Sequence, residues 1–211
     1  MRKSIAVMGV ALLFTLAAAA QDTPKMETFL GYTYVRANSA TNVPAFSANG
    51  GSGQFAYNFN KWLSGVADVG AVHSGNISGF HLDSTIANFV FGPRVSLRYS
   101  RLRPYFQTLF GGVYAATSTR VVAIPVAAPL ATFVPTPIPG EPITARLGAQ
   151  QTAFAMTIGG GLDIKISKHL SFRPIGLDYY MTRLQDLRTQ GDNNQNNLRY
   201  TTGFNFTFGA Q

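Results

Sequence analysis

The stretch IGGGLDIKISKHLSFRPIGLDYY, from Ile158 to Tyr180, holds the residues nearest to recognisable chemistry. Gly159, Gly160 and Gly161 would cradle a phosphate if a helix N-terminus followed them. His169 and Ser171 would make a nucleophile and its base if they touched and a carboxylate oriented the histidine. Asp163 and Asp178 supply charge. Elsewhere His73, His81 and Asp83 are metal-ligand types, at a spacing that fits no metal motif. Each of these chemistries depends on which element carries the residues and which face they share.

The N-terminus indicates the compartment. Arg2 and Lys3 precede an apolar run from Ile5 to Leu16, and Ala18-Ala19-Ala20 offers small residues for cleavage. This is the pattern of a secretory signal peptide, residues 1–20, removed after Ala20 to leave 21–211 as one domain. The remainder keeps 15 Lys and Arg (17 less Arg2 and Lys3) against 9 Asp and Glu. Its positive charge is scattered, without the basic run or helix that nucleic-acid binding calls for. Anionic lipid is the more natural counterpart. Cysteine is absent, so an exported chain of this size relies on its core or on a membrane. No later apolar run reaches the roughly 18 residues of a spanning helix. A soluble periplasmic domain or an outer-membrane barrel remains.

From Met26 onward the dominant period is two. In LRYTTGFNFTF, Leu198, Tyr200, Thr202, Phe204, Phe206 and Phe208 share one face, and Arg199, Thr201, Gly203, Asn205 and Thr207 the other. Alternation over about ten residues fits a tilted strand crossing a bilayer. Eight such segments are predicted, near 25–36, 51–60, 63–73, 85–99, 104–115, 151–166, 170–182 and 197–208. Short turns at 60–62, 100–103 and 167–169 alternate with long connections at 37–50, 74–84, 116–150 and 183–196. The apolar faces are large and aromatic, whereas the opposite faces carry Gly, Asn, Thr and charge. A soluble barrel would reverse that arrangement. The fold class is therefore all-β: an eight-stranded antiparallel up-and-down transmembrane barrel with short periplasmic turns and long extracellular loops. Trp62, Tyr99, Tyr105, Phe172 and Phe208 are assigned to an aromatic girdle at one interface. Tyr32, Tyr34, Tyr114, Tyr179 and Tyr180 are placed near the other.

With that pattern, the segments METFLGYTYVR, GGGLDIKISKHLSFRPIGLDYYMTR and LRYTTGFNFTFG resemble the small outer-membrane β-barrel family related to the transmembrane domain of outer membrane protein A. The resemblance covers most of residues 25–209. It implies a plugged, polar interior and a place in the bacterial outer membrane. It does not imply one function, because relatives serve as anchors, adhesins and binding proteins. It also implies recognition by the barrel-assembly machinery through a terminal aromatic. Here Phe208 is followed by Gly209-Ala210-Gln211, a departure from that pattern.

Placed on strands, the opening residues lose most of their chemistry. A strand, not a helix, follows the three glycines, which instead give a narrow barrel close approach and bend. His169-Leu170-Ser171 resembles the His-x-Ser of outer-membrane lipid A deacylases, also eight-stranded barrels. His169 nevertheless falls at a periplasmic turn, away from the outer leaflet, and no Glu follows Ser171 within the strand. The charges say more. Glu27, Asp68, Asp163, Asp178, Arg94 and Lys165 fall on polar faces. A mid-membrane Arg or Lys facing lipid costs about 2–4 kcal/mol, so these six should point inward and pair. Asp68 with Arg94 is the sharpest expected contact. Arg173 falls out of register with Asp178, near a turn where a long side chain reaches water.

The 116–150 connection holds six of the eleven prolines and is otherwise mostly apolar. It is a candidate surface for an extracellular partner or lipid. QGDNNQNN, 190–197, reads as a solvated loop. The expectation is a monomeric, non-enzymatic outer-membrane barrel without cofactor or metal, with a structural or surface-binding role through its extracellular loops. A narrow channel or porin-like transporter is the alternative, and a lipid-modifying outer-membrane enzyme the third reading.

Overall fold

The computed structural model describes residues 24–39, 45–75, 82–123, 143–185 and 192–209. The expected signal peptide 1–20 and its cleavage after Ala20, His81, and the proline-rich centre of the 116–150 connection lie outside the described residues. Eight strands follow in order: β1 Met26–Ala37, β2 Phe46–Asn58, β3 Leu63–Ser74, β4 Leu82–Ser96, β5 Leu102–Ala123, β6 Ile143–Lys165, β7 Leu170–Gln185 and β8 Asp192–Phe208. Each pairs antiparallel with its neighbour, and β1 pairs with β8, closing the barrel.

Period-two patterning translates directly into two surfaces. Phe55, Tyr57, Phe89, Phe91, Phe106, Leu198 and Phe204 face outward. Gln54, Asn58, Asp68, Arg94, Gln107, Thr157, Arg199 and Asn205 are buried inside. Apolar outside and polar inside is the stable arrangement only where the surroundings are lipid.

The strands run further outward than their sequence pattern suggests. β2 begins at Phe46, inside the expected 37–50 connection, and β8 begins at Asp192, inside the stretch read as a solvated loop. Gln195 and Asn197 of that stretch are buried within the barrel. The largest correction concerns 116–150. β5 continues to Ala123 and β6 starts at Ile143, paired from Leu102↔Ile164 up to Ala123↔Ile143. β4 leaves β5 at Leu82↔Thr119, and β7 leaves β6 at Ala155↔Thr182. Among the described residues, β6 from Ile143 to Phe154 thus has an open edge. At about 3.4 Å per residue, this two-stranded ribbon stands roughly 40 Å beyond its last contact with β7.

One irregularity resets the inward face. The β7–β8 register shifts between Arg173 and Gly176, and the β6–β7 register between Leu162 and Ile164. Pro174 has no N–H for the ladder, and a bulge accommodates it. The carbonyls this leaves are taken up by β8: Tyr200 Oη donates to the Pro174 oxygen at 2.7 Å and Thr202 Oγ1 to the Arg173 oxygen at 2.9 Å.

Of the assigned girdle, Trp62, Tyr99 and Phe208 are exposed at the short-turn end, and Phe172 packs on Phe204 at 5.4 Å between ring centroids. Tyr105 does not belong with them. It shares the face of Arg103 and Gln107 and is buried inside the barrel. Tyr180, placed near the outer interface with Tyr179, is likewise inside, because the face of β7 that carries Asp178 carries Tyr180 two residues on.

Candidate functional site

The interior is filled in tiers. At the periplasmic mouth Glu27 Oε1 meets Arg98 Nη2 at 3.1 Å and Arg103 Nη1 at 4.0 Å. Asn58 Nδ2 donates to Oε1 at 2.9 Å and Asn205 Nδ2 to Oε2 at 3.0 Å. Asn58 is further held by a hydrogen bond from the Ser64 hydroxyl. Above this, Arg173 grips Asp163 through two bonds, Nε to Oδ1 at 2.7 Å and Nη2 to Oδ2 at 3.2 Å. Its guanidinium lies between two rings, 4.1 Å from the Phe29 centroid and 4.4 Å from that of Tyr105.

Next comes a pair of amides. Gln54 Oε1 accepts from Arg94 Nη2 at 2.5 Å and from Arg173 Nη1 at 2.9 Å, while its Nε2 donates to Asp68 at 2.7 Å. Gln107 Oε1 accepts from Arg94 Nε and Nη2 at 3.1 and 2.6 Å, and its Nε2 donates to Asp178 at 3.1 Å. Arg199 then bridges two acids. It reaches Asp68 through Nη1 and Nη2 at 3.0 and 3.2 Å, and Asp178 through Nε and Nη2 at 3.0 and 2.8 Å. Charge-assisted, forked bonds of this kind are the strongest available to side chains. An apolar cluster including Val35, Phe46, Ala48, Val72, Ile86, Val113 and Tyr180 fills the outer part of the lumen.

Asp68 and Arg94 are not a pair. Asp68 lies opposite Val90 and Arg94 opposite Ser64, which separates them by four rungs, about 13 Å of strand. Gln54 stands between them, and Arg199 takes the acid. Lys165 also stays out of the network. It is the last residue of β6, half-buried beside the turn, with no ion pair among the described residues. Four arginines join the lumen network beyond the six expected residues: Arg98, Arg103, Arg173 and Arg199. Parity carried the signal for Arg199 and Arg103, which share faces with Asn205 and Gln107. For Arg173 no parity rule works, because the bulge at Pro174 lets residues five apart, Arg173 and Asp178, both face inward.

The three glycines sit where strands and lumen side chains crowd. A Cβ on Gly159 would lie 2.1 Å from the Leu177 oxygen, and one on Gly161 would lie 2.7 Å from the Tyr105 hydroxyl. Gly159→Val is expected to prevent strand closure and cost about 3 kcal/mol or more, beyond ordinary overpacking because backbone is the obstacle. Urea unfolding in vesicles, followed by the mobility shift of unboiled protein, measures this.

His169 and Ser171 do not meet. His169 is exposed at the turn with Nδ1 3.2 Å from the Thr207 oxygen, whereas Ser171 is buried in the lumen. His73 Nδ1 lies 3.2 Å from Thr85 Oγ1. Among the described residues no three His, Cys, Asp or Glu side chains gather as a metal site would require.

No curated protein sequence matches the chain. Among solved structures it is similar to the attachment invasion locus protein Ail of Yersinia pestis, at 13% identity over 87% of this chain and 99% of that one, TM-score 0.53. Neisserial surface protein A is similar at 10% identity over 90% and 100%, TM-score 0.61. A further Ail structure, in complex with the heparin analogue sucrose octasulfate, aligns at 14% identity over 86% and 97%, TM-score 0.50. At such identities the likeness is one of fold. The family model described as "Outer membrane protein beta-barrel domain" matches residues 6–211, and the chain belongs to that family of the bacterial outer membrane.

Proposed function

We propose that this protein is a non-enzymatic, structural or surface-binding barrel that works through its extracellular parts, and that its lumen network is a structural plug. One observation carries the reading: a lumen packed with paired charges and apolar side chains lies beneath the open-edged β5–β6 ribbon. Eight strands leave an interior that side chains can fill, whereas aqueous pores come with sixteen or more. Among the described residues, the part that stands furthest outside is the ribbon. An unpaired strand edge offers backbone donors and acceptors to an extended partner. At the other end, Phe208 on the lipid face of β8 would serve recognition by the barrel-assembly machinery.

The test has two readouts. Purified protein in planar bilayers is expected to give no discrete conductance steps; regular steps would favour the channel reading. Cells displaying the full chain are then compared with cells in which 124–142 is replaced by a short Gly-Ser turn. Ail's complex with a heparin analogue makes immobilised heparin the first probe. Retention that falls with the replacement, while the heat-dependent mobility shift persists, supports binding through the ribbon. Equal retention by both removes the proline-rich segment from the proposal and leaves the strand edge of β6, which the replacement keeps.

A further inference from the structure

Charge inside the barrel does not balance. Among the described residues five buried guanidiniums, of Arg94, Arg98, Arg103, Arg173 and Arg199, face four carboxylates, of Glu27, Asp68, Asp163 and Asp178. Arg173 and Arg199 engage three of those acids, and Arg94 is held by the amides of Gln54 and Gln107. The imbalance is concentrated at the periplasmic mouth, where Arg98 and Arg103 converge on the single carboxylate of Glu27.

That carboxylate is already occupied, with Asn58 on Oε1 and Asn205 on Oε2. The two arginine side chains are each only 8% exposed. Yet Nε and Nη1 of both have no hydrogen-bond partner among the described residues. Buried charged donors are ordinarily satisfied. The surroundings reinforce the demand for an anion. Arg101 is exposed on the same turn, and its carbonyl accepts from the Lys165 N–H at 2.8 Å, which sets those two basic positions side by side. Lys25, Lys61 and Lys168 stand at the same end of the barrel. With two guanidiniums to one carboxylate and further basic side chains around them, this end carries an excess of positive charge that attracts anions.

We propose that the periplasmic mouth is a binding site for a phosphate group, held by Arg98 and Arg103. Two guanidinium forks with free N–H edges suit a tetrahedral oxyanion, whose several oxygens can accept from both at once. The shared chemistry fits a phosphodiester headgroup of the inner leaflet or free phosphate in the periplasm. The site is independent of the role of the outer ribbon.

The test uses the full chain, with the arginine Nε–Hε signals followed by NMR. In one arm inorganic phosphate is titrated into protein in a maltoside detergent. In the other, nanodiscs of phosphatidylcholine alone are compared with nanodiscs containing phosphatidylglycerol. Saturable shifts of Arg98 and Arg103, with Arg173 and Arg199 unmoved, are expected. A response to phosphate alone identifies a soluble-anion site, and a response to phosphatidylglycerol a headgroup site; each supports the proposal. Arg98→Gln should weaken binding roughly tenfold, the loss of a charge-assisted bond. Glu27→Gln should tighten it, because the competing carboxylate is gone. If Glu27→Gln does not yield the heat-modifiable barrel, Arg98→Gln decides. Unmoved Arg98 and Arg103 signals in both arms, or undiminished binding by Arg98→Gln, overturns the proposal.

Discussion

Arg199→Ala is expected to destabilise the barrel by about 3–5 kcal/mol, the cost of removing one partner from a buried ion pair. Two acids depend on this side chain. Asp68 and Asp178 are almost wholly buried, and Arg199 holds each through two of its nitrogens. Without it they confront each other across a narrow lumen with only amide donors left: Gln54 and Asn88 on Asp68, Gln107 on Asp178. The measurement is urea unfolding of protein refolded into vesicles, read by the mobility shift of unboiled samples. The triple variant Arg199→Met, Asp68→Asn, Asp178→Asn should recover most of the loss, because it removes the charges together rather than stranding two of them. If the single and triple variants unfold alike, the volume of Arg199 rather than its charge is what the barrel needs.

The sequence made the barrel visible because the bilayer imposes a simple rule. Lipid on one side and a packed polar lumen on the other force alternation along each strand, as in Phe204, Asn205, Phe206 and Thr207, where outward and buried residues alternate. Alternation says which face a residue takes. It does not say how high the residue sits, and height decides pairing. Asp68 and Arg94 share the lumen, but the β3–β4 register sets them four rungs apart. Tyr105 departs from its expected place for another reason. Proximity to a turn suggested an interface aromatic, while its parity with Gln107 already pointed inward. Arg173 escapes the alternation rule altogether, since Pro174 shifts the register and nothing local marks on which side of the bulge parity resumes. Strands extend past their alternating segments where polar residues such as Asn193 to Asn196 lie above the membrane, where lipid no longer demands an apolar outer face.

Arg173→Ala is the second large effect, again about 3–5 kcal/mol, and its comparison with Arg94 separates two sources of stability. Both guanidiniums lie against the Tyr105 ring, Arg94 at 4.5 Å and Arg173 at 4.4 Å from its centroid. Only Arg173 neutralises a carboxylate. Its removal leaves Asp163 with Asn205 at 3.4 Å as the remaining side-chain donor and opens a gap beside Phe29. Arg94 answers only to the neutral oxygens of Gln54 and Gln107. Arg94→Met strands no charge, and it relieves repulsion between two cations that share one ring. Its cost should stay at about 1–3 kcal/mol, the penalty for the buried Gln107 oxygen that loses its donor, since Gln54 keeps the bond from Arg173. The same unfolding assay ranks them. A large loss for Arg173→Ala with a small one for Arg94→Met places the stability of the lower lumen in the bond to Asp163. Equal losses would place it in the stacking on Tyr105, and the glycines that make room for that ring would then matter more than the acids.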